Sequence, residues 1–546
     1  MKKQIKKGIL ATVVPVAVIA VAAGAFLGIP YLKLMTADTS GTAFQNKYKL
    51  DSSGNYIANI PREKYLTYSS HKENEKIFDI RSYGASTTAD FKTNREAINK
   101  AIAEASKSGG GIVVVDGGEY ICSNIKLQSN VTLRIEKDSA LTNITYDCDK
   151  NENQEFHRVE ENNTIERNAL IYAEKAENIT IEGPGKLKGN GTTYCNPQED
   201  SSLFYPLDTF NLKVYVTEHR KRIMMGKEHE MSRDFIMAVN YCKNVTVKNL
   251  EIYESGSWTC RMEGNDGLTF DGVIINNNIR VANSDGIDIM GGKNTVIKNC
   301  FIATGDDALC LKTDPDNEPV ENVLIENCEV MSLANCFKIG TATHKDISNV
   351  TVRNCYFFMP GIAGGYAGIA IEATDGGKVS DITVENIDME NVTTPFMVWL
   401  GYREEGSRLE NIKISGITAS GCDIASSVTG YKKGGEVSSV KNVLIENVDV
   451  KYREAKEKTN IFLGSGAYEG KLNMGGYPES TRISHMYILN HTVSPYFDIP
   501  VYGLFARNVD GLTVKNFTVT PRSTNQRPFT NFYEKEKYNI DNLQYI

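Results

Sequence analysis

Tryptophan is nearly missing from this chain of 546 residues, which has only Trp258 and Trp399. Histidine is scarce too, with seven copies, and none stands with cysteines at zinc-ligand spacing. No CxxC occurs, which removes the usual zinc and dithiol signatures. Positive charge is not in excess: 60 Lys and Arg against 68 Asp and Glu give a formal charge of −8. That balance excludes a nucleic-acid partner of the basic-patch kind, and no long run of one charge marks a tail. The eleven cysteines are an odd number, so one at least is unpaired. Cys300, Cys328 and Cys355 each follow an asparagine and so share one structural phase. A cysteine in that setting reads as a small buried hydrophobe rather than half of a disulfide.

Tyrosine and phenylalanine are plentiful, at 27 and 20. Tyr-rich loops suit sugar stacking, and equally an ordinary core and surface. The first residues differ from the rest. Lys2, Lys3, Lys6 and Lys7 precede an apolar stretch from Ile9 to Leu32, broken only by Thr12, Pro15, Pro30 and glycines. This reads as a signal peptide with Ala23-Gly24-Ala25 at the cleavage point, or as an uncleaved helix spanning a bilayer of ~30 Å. The lysines would hold the N-terminus in the cytoplasm. Either way the bulk is exported, outside the cell or anchored to the outer face of the cytoplasmic membrane; the anchor is the favoured form. Residues 1–35 are therefore the signal or anchor segment, 36–76 a polar linker, and 77–546 a single domain.

That domain is built on a repeat. Ile77-Phe78-Asp79-Ile80 reads as a strand. Thr93 or Asn94 can cap a helix over Arg95–Ala105, stopped by Gly109-Gly110-Gly111. Ile112–Val115 and Asn130–Ile135 read as strands. One shape then recurs, in Asn294-Thr295-Val296-Ile297-Lys298-Asn299, Asn322-Val323-Leu324-Ile325-Glu326-Asn327, Asn349-Val350-Thr351-Val352-Arg353-Asn354 and Asn442-Val443-Leu444-Ile445-Glu446-Asn447. Alternating apolar and polar residues give each strand one inward face. Asparagine at each strand end suits a turn, its side chain bonding its own backbone or a stacked copy. The physical solution is all-β: a right-handed parallel β-helix, a solenoid whose coils share one core, with the short helix capping the N-terminal end. Leucine-rich repeats fit less well, because their repeat is leucine-based. Insertions near 142–167, 191–231 and 452–500 interrupt the ladder and carry His157, His219, His229, His485 and His491. Long loops on a rigid solenoid tend to build a binding surface, although a lone histidine there is more often a surface residue.

Within the repeat lie Asn283-Ser284-Asp285-Gly286-Ile287-Asp288 and Thr304-Gly305-Asp306-Asp307-Ala308. Stacked coils would bring these acids to one face, and paired carboxylates are the equipment of glycosidic cleavage. Asp-Gly and Gly-Asp are also turn dipeptides, and Asp288 reads as a turn residue of that kind.

These motifs, with Asp79-Ile80-Arg81-Ser82-Tyr83-Gly84-Ala85 and Ile181-Glu182-Gly183-Pro184-Gly185, resemble glycoside hydrolase family 28, the polygalacturonase-like pectin-active hydrolases, as a divergent member. The resemblance implies inverting hydrolysis of a pectic or related polysaccharide without cofactor or metal. Asp306 is then the general acid, and Asp285 and Asp307 hold and deprotonate the water. The family's Gly-His-Gly stretch is replaced: Asn335 stands where histidine is expected. Where the family presents Arg and Lys two residues apart, this chain has Ala370 and Glu372. A glutamate there would repel a uronate, so this is not a standard polygalacturonase. Either Lys312 and Lys338 replace the lost cations or the sugar is neutral. Asn283, Asn335, Glu372 and Arg403 join them as expected substrate contacts; His344 is a further candidate, better read as structural. Two other classes stay open: a β-helix lyase using calcium on the acidic cluster, and a non-catalytic glycan-binding surface protein.

Overall fold

In a computed structural model, the structure describes residues 49–50, 57–58, 60–67, 75–144, 169–201, 214–217, 233–359, 367–392, 394–422, 425–433, 435–452, 503–520, 530–532 and 538–545. The signal or anchor segment, most of the three insertions, and His157, His219, His229, His485 and His491 lie outside them. Among the described residues no helix is long and apolar enough to cross a membrane.

The chain winds as a parallel β-helix with three strand ladders. One begins with Gly111–Val115 and Val131–Ile135 and continues coil by coil to Val509–Thr520 and Asn539–Tyr545. A second begins with Glu119–Cys122 and Ala140–Asn143. The third, which carries the site, runs through Phe235–Asn240, Cys260–Asn276, Ile287–Lys298, Leu309–Thr313, Asn335–Thr343, Ala367–Asp375 and Thr394–Glu404. Every pairing between coils is parallel. The antiparallel pairs lie outside the ladders, as in Cys195–Ser201 against Val214–Thr217.

Register explains the repeat. Phe270, Ile297, Ile325, Val352, Val384, Ile414, Ile445 and Val514 stack one on another. They belong to one apolar core running from Phe78 to Val519. Each such side chain contributes roughly 1.5–3 kcal/mol when fully buried. The strand-end asparagines adopt left-handed backbone, for example Asn294 and Asn322 at φ +59° and Asn349 at +55°. Their amides bond the copy one coil away: Asn322 donates to Asn294 at 3.1 Å and Asn349 to Asn322 at 2.6 Å. Ten cysteines are described, all buried. Cys328 lies between Cys300 and Cys355, whose thiols push its own well above the ordinary value.

Two local expectations are corrected. The helix runs Phe91–Lys107, and its N-cap is Asp90, which accepts from the Thr93 backbone N–H at 2.9 Å. Thr93 and Asn94 already lie inside the first turn, because an aspartate three residues before Thr93 offers a stronger acceptor to the exposed amides. Its buried face, Ala97, Ile98, Ala101, Ile102 and Ala105, joins the core. The stretch 60–67, read as part of a linker, packs on the outside of the second ladder. Ile60, Tyr65 and Leu66 are buried with Phe301, Met331 and Phe358, and Arg62 bonds Glu251.

Candidate active site

The acids sit at corners where the chain enters the third ladder. The corners stack by backbone bonds: Thr259 N–H donates to the Asp285 carbonyl, Gly286 to Asp307, and Ala308 to Asn335, each at 2.9 Å. Glycine is required twice. A Cβ on Gly286 would meet the Ala308 carbonyl oxygen at 2.3 Å, and one on Gly305 the Ile279 carbonyl oxygen at 2.5 Å. Buried hydroxyls fasten the corners: Thr304 and Ser332 both donate to the Asp306 carbonyl at 2.6 Å, and Thr259 to the Asp285 carbonyl at 2.6 Å.

This scaffold brings one carboxylate oxygen each of Asp285, Asp306 and Asp307 within 4.8 Å of the others. The nearest oxygens are thus closer than the ~6.5–9.5 Å separating the acid and base of an inverting pair. All three side chains are nearly closed off, at 3, 5 and 3% exposure. Asp307 accepts from Asn335 Nδ2 at 2.7 Å and from Lys338 Nζ at 2.8 Å. Asp306 Oδ1 accepts from the Asp307 backbone N–H at 2.9 Å, and its Oδ2 lies 3.5 Å from Asn283 Nδ2. Asp285 Oδ2 accepts from Lys312 Nζ at 3.3 Å, while its buried Oδ1 has no partner among the described residues.

Asp288 corrects the sequence reading. It is no turn residue but lies in the strand Ile287–Lys298, fully buried, with the Lys312 ammonium 2.6 Å away. Ile287 and Ile289 face the core, so strand alternation aims Asp288 outward beside the acids. Burial pushes Asp288 up to about 6, against the pull of Lys312. Burial, followed by the neighbouring Asp288 charge, raises Asp285 well above the ordinary carboxylate range.

Of the expected substrate contacts, Asn283, Lys312, Asn335 and Lys338 are gathered at the acids. Both lysines are taken up by aspartates there, because a buried carboxylate cluster needs its own counter-ions. Glu372, Arg403 and His344 belong to a separate polar group further along the strands. Glu372 accepts from the Thr341 hydroxyl at 2.8 Å, Arg403 is bonded to Asp375, and His344 Nδ1 lies 3.6 Å from Glu404. Ala370 and Met397 follow Lys338 in register, both buried. The sequence reading missed two further residues. Trp258 receives Lys312 Nζ 4.0 Å from its ring centroid. Arg233 donates to Asn283 Oδ1 at 2.6 Å. Trp258 was findable, since it precedes the corner residue Thr259 by one position. Nothing local marks Arg233.

Comparison with known proteins bears on this arrangement. The family model described as glycosyl hydrolases family 28 matches residues 122–464. An endo-polygalacturonase of Pectobacterium carotovorum subsp. carotovorum is 26% identical over 325 residues, covering 59% of this chain and 75% of its own. A probable exopolygalacturonase B of Aspergillus terreus is 22% identical over 347 residues, covering 60% and 69%. Among solved structures, the Yersinia enterocolitica family 28 exopolygalacturonase superposes with a TM-score of 0.56 at 16% identity, over 86% of this chain and 78% of that one. A hyperthermoactive exopolygalacturonase from Thermotoga maritima gives 0.51 at 19%, over 72% and 90%. The structural likenesses show the fold. The family match spans every corner that carries an aspartate of the cluster, and with it the chain belongs to glycosyl hydrolases family 28.

Proposed function

We propose that the protein hydrolyses a glycosidic bond in a pectic or related polysaccharide, with inversion. The observation that carries the hydrolytic reading is the convergence of Asp285, Asp306 and Asp307 at stacked corners, oxygens within 4.8 Å; inversion is what the resemblance to the family implies, not what this separation supports. Asp306 gives its proton to the leaving oxygen. Asp285 and Asp307 position the water and take its proton, the division of labour that the family resemblance implies; crowding of like charges favours one protonated carboxyl among them. A base whose proton affinity is raised toward the working pH, as burial raises Asp285, is the more effective one.

The sugar against the coils that follow the acids is uncharged: a neutral residue or a methyl-esterified uronate. Lys312, Lys338 and Arg403 are each held by an aspartate, and the residues in register after Lys338 are Ala370 and Met397. Asn335, on Asp307, replaces the family's histidine as a neutral donor. No divalent cation is needed, because the two lysine ammoniums occupy the cationic positions beside the acids. Export follows from the basic and apolar stretch of residues 2–32. The helix Phe91–Lys107, packed on Gly111–Val115 and Glu119–Cys122, serves as the N-terminal cap.

The test is a panel of pectic, methyl-esterified, rhamnogalacturonan and host-glycan oligosaccharides followed by proton NMR, which reads linkage and anomeric outcome together. Asp306→Asn and Asp307→Asn are each expected to lower kcat by on the order of 10³-fold or more, with unchanged circular dichroism. Wild-type turnover in both variants would end the assignment of roles. Chelator is expected to leave the rate unchanged. An unsaturated, ultraviolet-absorbing product would replace hydrolysis by elimination.

A further inference from the structure

Four carboxylates, Asp285, Asp288, Asp306 and Asp307, stand with two ammoniums, Lys312 and Lys338, in one nearly closed cluster. Asp307 is balanced by Lys338. Lys312 is shared: its Nζ lies 2.6 Å from Asp288 Oδ1 and 3.3 Å from Asp285 Oδ2, with the Trp258 ring centroid 4.0 Å away. The ammonium is therefore held on three sides. A lysine has a long, flexible stem, and such a clamp is what fixes its head in one place. The oxygen of Asp285 left over is Oδ1, buried and without a partner among the described residues. A buried unpaired carboxylate oxygen is costly unless a ligand or water meets it.

We propose that Asp288 is a positioning residue: with Trp258 it pins Lys312 against Asp285 Oδ2, so that Asp285 Oδ1 is presented to the attacking water. This rests on the hydrolytic reading above and adds to it a residue that touches neither water nor sugar. The other charged and titratable groups facing Asp288 do not compete for this role. Arg261, in register on the preceding coil, is bonded to Glu263 and Asn240. Cys310, in register on the next coil, has its thiol held protonated by burial. Lys338 is engaged by Asp307, and Asp306 and Asp307 add only like charge.

The geometry sets opposite signs for two variants. Asp288→Asn removes a like charge and leaves Lys312 to Asp285 alone, so the acid limb of the kcat/KM profile moves to lower pH. Lys312→Met removes the cation, so the same limb moves to higher pH. Each lowers kcat by about 10- to 100-fold with a smaller change in KM, as expected when a reacting group is displaced while the groups that bind the sugar stay in place. The double variant loses no more than the worse single one, because both act through one carboxylate. The full chain is assayed on whichever panel glycan the wild type cleaves, with thermal melts as the folding control. If Lys312→Met does not fold, the direction of the Asp288→Asn shift decides alone. Wild-type profiles in folded variants, or additive losses, overturn the inference while leaving hydrolysis standing. Absence of any wild-type turnover sinks both readings.

Discussion

At the scale of single residues, the site is a problem of burying charge. Asp288 is fully closed from solvent, and its carboxyl is pushed up to about 6 from 3.8. The sign of the consequence follows from proton linkage. The folded state holds this proton more tightly than the unfolded state does. Its contribution to stability is therefore largest below about pH 4 and declines as pH rises through about 6. Asp288→Asn removes that slope. Relative to wild type, the variant is expected to gain on the order of 1–3 kcal/mol on going from pH 4 to pH 7. Urea midpoints of the two proteins, compared at both pH values, check it. A difference that stays flat would mean that Lys312 compensates the charge completely.

At the scale of elements, the strand ends matter as much as the strands. Asn322 has φ +59°, donates to Asn294 and accepts from Asn349. Alanine at this position would lose both bonds and bear the left-handed backbone cost, about 2–5 kcal/mol in total. Glycine would lose the bonds but keep the conformation with little strain. Asn322→Gly should therefore be destabilised less than Asn322→Ala, measured by urea unfolding. The reverse order would show that backbone geometry is not what asparagine supplies here. The inward positions set a larger scale. Phe337 is fully buried in the strand that also carries Asn335 and Lys338. Phe337→Ala is expected to cost about 3–5 kcal/mol and to lower activity with it, since two partners of Asp307 sit on the same strand.

At the scale of the whole molecule, one apolar cluster among the described residues extends from Phe78 to Val519. Neighbouring coils hold each other, so the solenoid is expected to unfold as one unit despite its length. The tryptophans make this measurable. Trp258 stands at the acids, and Trp399 is fully buried two coils beyond Lys338. Fluorescence reads that middle region, while far-ultraviolet circular dichroism reads every strand. The two transitions should coincide in urea. A fluorescence change that precedes the loss of strand signal would show that the catalytic coils open by themselves.

Much of this was legible in the chain before folding. Alternation in Asn322–Asn327 and its copies dictated parallel coils, because period two allows only one face of each strand to be buried. Asparagine at the strand ends dictated the stacked ladder, and the aspartates of two neighbouring repeats announced a shared corner. What the linear order left open is how charges are divided. Lys312 and Lys338 read as free cations for a substrate, and Asp288 as a turn. Only stacking revealed that the lysines are consumed by Asp285, Asp288 and Asp307. The physical reason is that strand parity is a local property, fixed by near neighbours along the chain. Ion pairing inside a closed cluster depends on residues some thirty positions apart, brought within 3 Å by the winding of the coil.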